Sequence, residues 1–170
     1  MKKLLAVIDM QKDFSGGALG TPEAVAIVPA VAEKIRTFDG DVVFTADTHG
    51  SDYMNTREGK HLPVPHCIKG TEGWLFDSAI APLAEGKVIF EKHDNFGSYA
   101  LAAYAAGRGY DYIELIGLCT DICVLTNALL LKAMLPEADI AVDPACCAGV
   151  TPESHDNALK AMSMCQIEIL

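Results

Sequence analysis

The sequence predicts an α/β fold: a single-domain, Rossmann-like three-layer sandwich around a mainly parallel sheet of about six strands. Short β-rich apolar runs alternate along the chain with segments of helical character, the order that builds parallel sheets. Several of these runs are apolar on consecutive residues, as strands covered on both faces should be. A length of 170 residues with 51% hydrophobic content suits one domain with a full core.

The strands are expected at Leu4 to Ile8, Val42 to Ala46, Val88 to Glu91, Tyr112 to Gly117, Ile140 to Val142 and Ile167 to Leu170. The first follows two lysines in MKKLLAVIDM, a beginning that superficially resembles a secretion signal. Its apolar run is cut at Asp9 and so reads as a strand. Helix starts are signalled by Pro29 in a first turn, Ser98 before YALAAYAAG, Thr120 before DICVLTNALLLKAM, and Thr151-Pro152 before ESHDNALKAM. Gly107 and Pro136 end two of these helices. The stretch from Asp47 to Asp77, rich in Gly, Pro, His and Thr, exceeds ordinary connection lengths and reads as a functional loop. No repeat, low-complexity tract or linker interrupts this pattern.

Composition narrows the partners. With 23 acidic against 13 basic residues the net charge is -10, a balance that repels nucleic acid and anionic lipid and favours a small molecule. No segment is long enough to span a bilayer. Six cysteines at irregular spacings indicate reduced thiols and a cytoplasmic setting rather than a disulfide framework. Cys146, Cys147 and Cys165 read as buried small hydrophobes.

In an open parallel sheet, ligands bind beyond the carboxyl ends of the strands. Asp9 ends the first strand, Lys92 the third, and Cys123 lies in the first turn of the helix after the fourth. With Thr120 as cap, Cys123 occupies the third helical position, where free N–H groups and the helix dipole favour a thiolate. A thiolate nucleophile needs a proton acceptor steadied by a cation, and Asp9 and Lys92 supply those two groups. Each residue also has a plain structural alternative: a backbone cap, a surface lysine, a small core side chain. A second constellation, Asp47-x-His49 with His66 in the same loop, offers the carboxylate and imidazoles that suit Zn²⁺ or another divalent transition ion. A polar loop without metal has the same composition. His61 and His93 are not assigned by the pattern.

The strings AVIDMQKDF (6–14), DTH (47–49), PHCIKGTEGW (65–74), FEKHDNF (90–96) and GLCTDICV (117–124) resemble, in order, the signatures of the isochorismatase-like cysteine hydrolases. That superfamily includes nicotinamidases, N-carbamoylsarcosine amidohydrolases and ureidoacrylate hydrolases. The resemblance implies Asp9 as general base, Lys92 as positioning cation and Cys123 as nucleophile. It further implies a cis Leu118–Cys119 peptide and an oxyanion hole formed by the N–H groups of Cys119 and Cys123. By the same resemblance Asp47, His49 and His66 hold a divalent metal, expected to be zinc, that receives a pyridine nitrogen, and no organic cofactor is needed. Phe14, Phe96 and Tyr99 are either core aromatics or the walls of a flat apolar pocket, and the matching family positions favour walls.

Two departures bear on the substrate. Asp52 and Tyr53 stand where some nicotinamidases place an additional metal-binding histidine, and Pro63 stands where many place a tryptophan that stacks on the ring. The expected activity is hydrolysis of a small amide through a thioester, nicotinamide first, by a cytoplasmic homo-oligomer. A carbamoyl or ureido amide hydrolase is the alternative within the class. Outside it, the alternative is a catalytically silent small-molecule binding protein of the same fold.

Overall fold

A computed structural model describes residues 1–93 and 96–170; Asp94 and Asn95 of the FEKHDNF string lie outside the described residues. Six strands form one all-parallel sheet: β1 (Lys3–Ile8), β2 (Asp41–Asp47), β3 (Val88–Lys92), β4 (Tyr112–Leu118), β5 (Asp139–Ala148) and β6 (Glu168–Ile169). Their spatial order is β3-β2-β1-β4-β5-β6. The chain therefore winds first to one side of β1 and then to the other, which puts a topological switch point beside β1.

Helices α1 (Lys12–Ser15), α2 (Pro22–Thr37), α3 (Arg57–His61), α4 (Ala81–Ala84), α5 (Tyr99–Ala106), α6 (Leu125–Met134) and α7 (Pro152–Met164) complete the layers. Alternate residues of β1 feed two separate cores, as a strand's two-residue period dictates. Leu4, Ala6 and Ile8 join the α5, α6 and α7 side. Leu5 and Val7 join Val31, Ala32 and Ile35 of α2 on the other. The buried β1 settles the reading of MKKLLAVIDM as a strand.

Three sequence expectations need correction. Pro29 lies inside α2, whose first residue is Pro22 and whose cap is Thr21, its hydroxyl accepting the Ala24 N–H at 3.0 Å. This is the same Thr-Pro start that opens α7 at Thr151-Pro152. Strand β5 runs to Ala148 rather than stopping at Val142; its register to β4 jumps between Leu115↔Val142 and Gly117↔Cys147, so the turn-like Asp143-Pro144 is a bulge within the strand. Cys165 is exposed at the end of α7, whereas Cys146 and Cys147 are buried as expected.

Candidate active site

Parallel register brings the expected residues to one edge of the sheet. Asp47 pairs with Lys92 across β2 and β3, and Ile8 pairs with Gly117 across β1 and β4. Asp9, one residue past Ile8, and Cys119, two past Gly117, consequently stand at the same carboxyl edge. The chain leaves β1 through Asp9 at φ 46, a left-handed conformation that aspartate tolerates better than most side chains. The Thr45 hydroxyl donates to Asp9 Oδ1 at 2.6 Å, which fixes the carboxyl and leaves Oδ2 to Lys92.

Lys92 is the hub. Its Nζ lies 2.5 Å from Asp9 Oδ2 and donates to Cys123 Sγ at 3.3 Å and to the Phe96 carbonyl at 2.9 Å. All three triad side chains are buried. Burial opposes a charged lysine, but Asp9, Cys123 and Asp47 outweigh it and hold the Lys92 ammonium protonated well above its ordinary range. Asp9 is raised, chiefly by desolvation, with Lys92 countering.

Cys123 departs from expectation. Residues Thr120–Val124 form a π-helical turn with Cys119 at its N-cap position, ahead of α6. Thr120 is not a cap: its hydroxyl is paired with His155 Nδ1 at 2.8 Å. The Cys123 thiol is pushed well above its ordinary value, first by burial and then by the Asp9 charge, with Lys92 pulling it down. Burial and the Asp9 charge thus oppose the thiolate that a helix N-terminus alone would favour, and Lys92 supports it. The Leu118–Cys119 peptide is cis, as expected.

Beside the triad, one donor atom each from Asp47, His49 and His66 falls within 4.8 Å of the others. Asp47 Oδ2 lies 3.0 Å from His49 Nε2 and 3.4 Å from His66 Nε2. The backbone holds these groups in place. Gln11 Nε2 donates to the Asp47 carbonyl at 2.8 Å while its Oε1 accepts the Asp47 N–H at 2.7 Å. Asp13 Oδ2 accepts the Cys67 N–H at 2.8 Å, steadying the residue after His66. His66 Nδ1 donates to the Val64 carbonyl at 2.8 Å, which fixes the ring with its Nε2 edge toward Asp47. Burial resists ionisation of Asp47, yet its bonds to the two imidazoles and the Lys92 charge keep it ionised well below the usual carboxylate range.

Sequence reasoning missed Glu58. Its Oε1, on α3, reaches 3.7 Å from His49 Nε2 and 3.8 Å from His66 Nε2. Nothing in a nine-residue interval after His49 announces it; only the folding of α3 over the imidazoles does. Tyr53 packs edge-on against both imidazole rings, and its hydroxyl donates to the Leu62 carbonyl at 2.8 Å. His61 and His93 are exposed outside this cluster.

A cavity of about 180 Å³ joins the two groups, with Cys119, Cys123, Asp47 and His66 at its polar end and Phe14, Leu19, Leu62, Phe96, Ile122 and Val150 among its walls. Tyr99 is not brought to it. As the first residue of α5 after the Ser98 cap, it points outward, 69% exposed, over a separate depression.

Comparison with known proteins matches this geometry. Residues 3–170 match the Isochorismatase domain. The nicotinamidase/pyrazinamidase of Mycobacterium tuberculosis is 26% identical over 185 residues, covering 99% of this chain and 98% of that protein. The crystal structure of the pyrazinamidase of Pyrococcus horikoshii in complex with zinc superposes with a TM-score of 0.85 at 31% identity, covering 100% of this chain and 99% of that one. N-carbamoylsarcosine amidase from Thermoplasma acidophilum gives a TM-score of 0.77 at 30% identity, with 99% and 95% covered. With nearly every residue inside the match, the chain belongs to the isochorismatase family.

Proposed function

We propose that the protein hydrolyses a small amide through a thioester on Cys123, with nicotinamide as its first substrate. The observation that carries this reading is the Lys92 ammonium, in contact with the Asp9 carboxylate and the Cys123 sulfur at once. A buried carboxyl–ammonium pair next to a buried thiol has a chemical use: as carboxylate, Asp9 is the base, and the cation stabilises the thiolate as it forms.

Asp9 takes the thiol proton as Sγ attacks the amide carbonyl, and the oxygen turns toward the backbone N–H groups of Cys119 and Cys123. Collapse of the tetrahedral adduct breaks the C–N bond, and the proton on Asp9 leaves with ammonia. Asp9 then removes a proton from water as that oxygen attacks the thioester. The carboxylic acid departs and the proton returns to the thiol.

The donor set fits a divalent metal. An ionised carboxylate and a histidine whose ring is fixed by a backbone carbonyl face a second imidazole and a further carboxylate across 3.0 to 3.8 Å. Asp47, His49 and His66 would hold the ion, with Glu58 beside them; zinc, as in the Pyrococcus horikoshii relative, is the first choice. When bound there, the ion supplies an electrophile for the substrate's ring nitrogen. The protein's own residues close the pocket around the ring and exclude water.

One observation favours a second reading, a carbamoyl or ureido amide. Pro63 is exposed, so no aromatic ring stacks from that position, and Leu62 lines the cavity instead. A homo-oligomer in the cytoplasm completes the proposal. Six free thiols and the exposed Val88 and Ile89 of edge strand β3 support it. The test is an ammonia-release assay across nicotinamide, aliphatic amides and carbamoyl compounds, with and without added divalent metal. Release from nicotinamide is expected; no release from any amide would overturn the enzymatic reading.

A further inference from the structure

Asn127 lies on α6, one turn beyond the nucleophile, and is 1% exposed. Its carboxamide is engaged at both ends. Nδ2 donates to the Cys123 carbonyl at 2.8 Å and to the Phe96 carbonyl at 3.2 Å, while Oδ1 accepts the Ser98 N–H at 2.8 Å. The Phe96 carbonyl also accepts from Lys92 Nζ at 2.9 Å. One buried amide thus ties the backbone of the nucleophile's turn to the segment that gives Lys92 an acceptor and the cavity a wall. A second feature shows how closely the two pieces approach. A Cβ on Gly97 would stand 2.9 Å from the Thr126 methyl on α6, so a side chain there would force the segment away.

We propose that Asn127 is a positioning residue: by clamping Phe96 to Ser98 against the Cys123 turn, it sets where the Lys92 ammonium sits relative to the sulfur. The inference rests on the reading of Cys123 as nucleophile. Lys92 has a long flexible stem and its site depends on acceptors placed around it. Asp9 supplies one from β1, and the Phe96 carbonyl supplies another from the opposite side. That carbonyl is held in place by Asn127 rather than by a strand or helix of its own, because Phe96 and Gly97 lie between β3 and α5. Local helix formation does not need this amide, since Thr126, its neighbour, already bonds back to the Ile122 carbonyl at 2.6 Å on its own.

The test uses Asn127→Ala and Gly97→Ala, which loosen the same junction from its two sides, in the full-length protein. Misplacing a reacting group by about 1 Å costs on the order of a hundredfold, so kcat should fall roughly ten- to hundredfold in both, with KM changed far less. The rate of Cys123 alkylation by iodoacetamide at fixed neutral pH should fall in parallel. A folded variant that keeps native kcat and native alkylation, whatever happens to its thermal midpoint, would overturn the proposal. So would a loss confined to KM, because that assigns Asn127 to the Phe96 wall alone. If Asn127→Ala does not fold, Gly97→Ala decides by the same readouts. Should the native protein release ammonia from no amide, the catalytic reading fails, and alkylation alone still tests the clamp.

Discussion

The surroundings of Cys123 penalise its anion, burial first and then the Asp9 charge, while Lys92 opposes them. Two substitutions separate these roles. Cys123→Ala removes the proposed nucleophile and little volume, so turnover should disappear while the unfolding free energy from urea titration moves by about 1 kcal/mol or less. Activity of even a few per cent of native in that variant, measured by ammonia release, would exclude the covalent route. Lys92→Met keeps length and loses charge. Since Lys92 lowers the thiol pKa, its removal lets the pKa rise further, and the pH dependence of iodoacetamide alkylation should move to higher pH. An unchanged profile would show that the ammonium does not act on the sulfur. These residues were legible in the sequence because strand ends of a parallel sheet converge. The balance of forces on the thiol was not, because desolvation depends on what covers Cys123 in three dimensions, which a helix-dipole argument leaves out.

Elements were legible where local chemistry and tertiary packing agree. The strands showed as apolar runs, and Ser98 and Thr151 cap α5 and α7 where expected. They were missed where the chain uses a breaking residue inside an element. Pro29 sits within α2, tolerated because the helix packs on the sheet, and Pro144 sits in the bulge of β5, where the β4 ladder is interrupted. The π-helical turn at Thr120–Val124 likewise has no sequence signature of its own. Gly117 offers a quantitative check on how closely the central strands must approach. It adopts φ +119, and a Cβ there would collide with the backbone of Ile8. Gly86 adopts φ +70 with open space around it. Gly86→Ala should therefore cost only about 1 kcal/mol of backbone strain. Gly117→Ala adds a backbone collision between β1 and β4 and should cost more than about 3 kcal/mol. Urea unfolding of the two variants measures the difference, and equal losses would mean that β1 and β4 yield freely at this point.

Across the whole molecule the sheet separates two polar systems, each with its own response to conditions. Toward the α2 side, Lys34 Nζ bridges Glu114 at 2.7 Å and Asp143 at 2.8 Å. Burial alone would raise Asp143, but its bond to Lys34 and that charge hold it below the usual carboxylate value. A depressed folded pKa contributes stability above the unfolded value, near 3.8, and loses it as pH falls through the folded one. Asp143→Asn should accordingly destabilise the protein at neutral pH, with the gap from native closing below about pH 4 in acid-unfolding curves; a pH-independent gap would mean that packing, not charge, is what Asp143 contributes. At the carboxyl edge, Asp47 belongs to both remaining groups, its Oδ2 among the imidazoles and its Oδ1 3.8 Å from Lys92. If that donor set orients a ring nitrogen, removing metal should weaken turnover of pyridine amides far more than that of aliphatic amides, because both need the same Cys123 chemistry and only one uses the ring. His66→Ala should reproduce the selectivity, since losing an imidazole already locked toward Asp47 leaves too few strong donors to retain an ion. Metal content after gel filtration, read by mass spectrometry beside nicotinamide and aliphatic amide kinetics, makes the comparison. A protein that retains no metal, gains nothing from added Zn²⁺, Mn²⁺ or Fe²⁺, and turns over a carbamoyl compound better than nicotinamide would move the assignment to the second substrate class. The exposed Pro63 would then be the residue that had marked the difference.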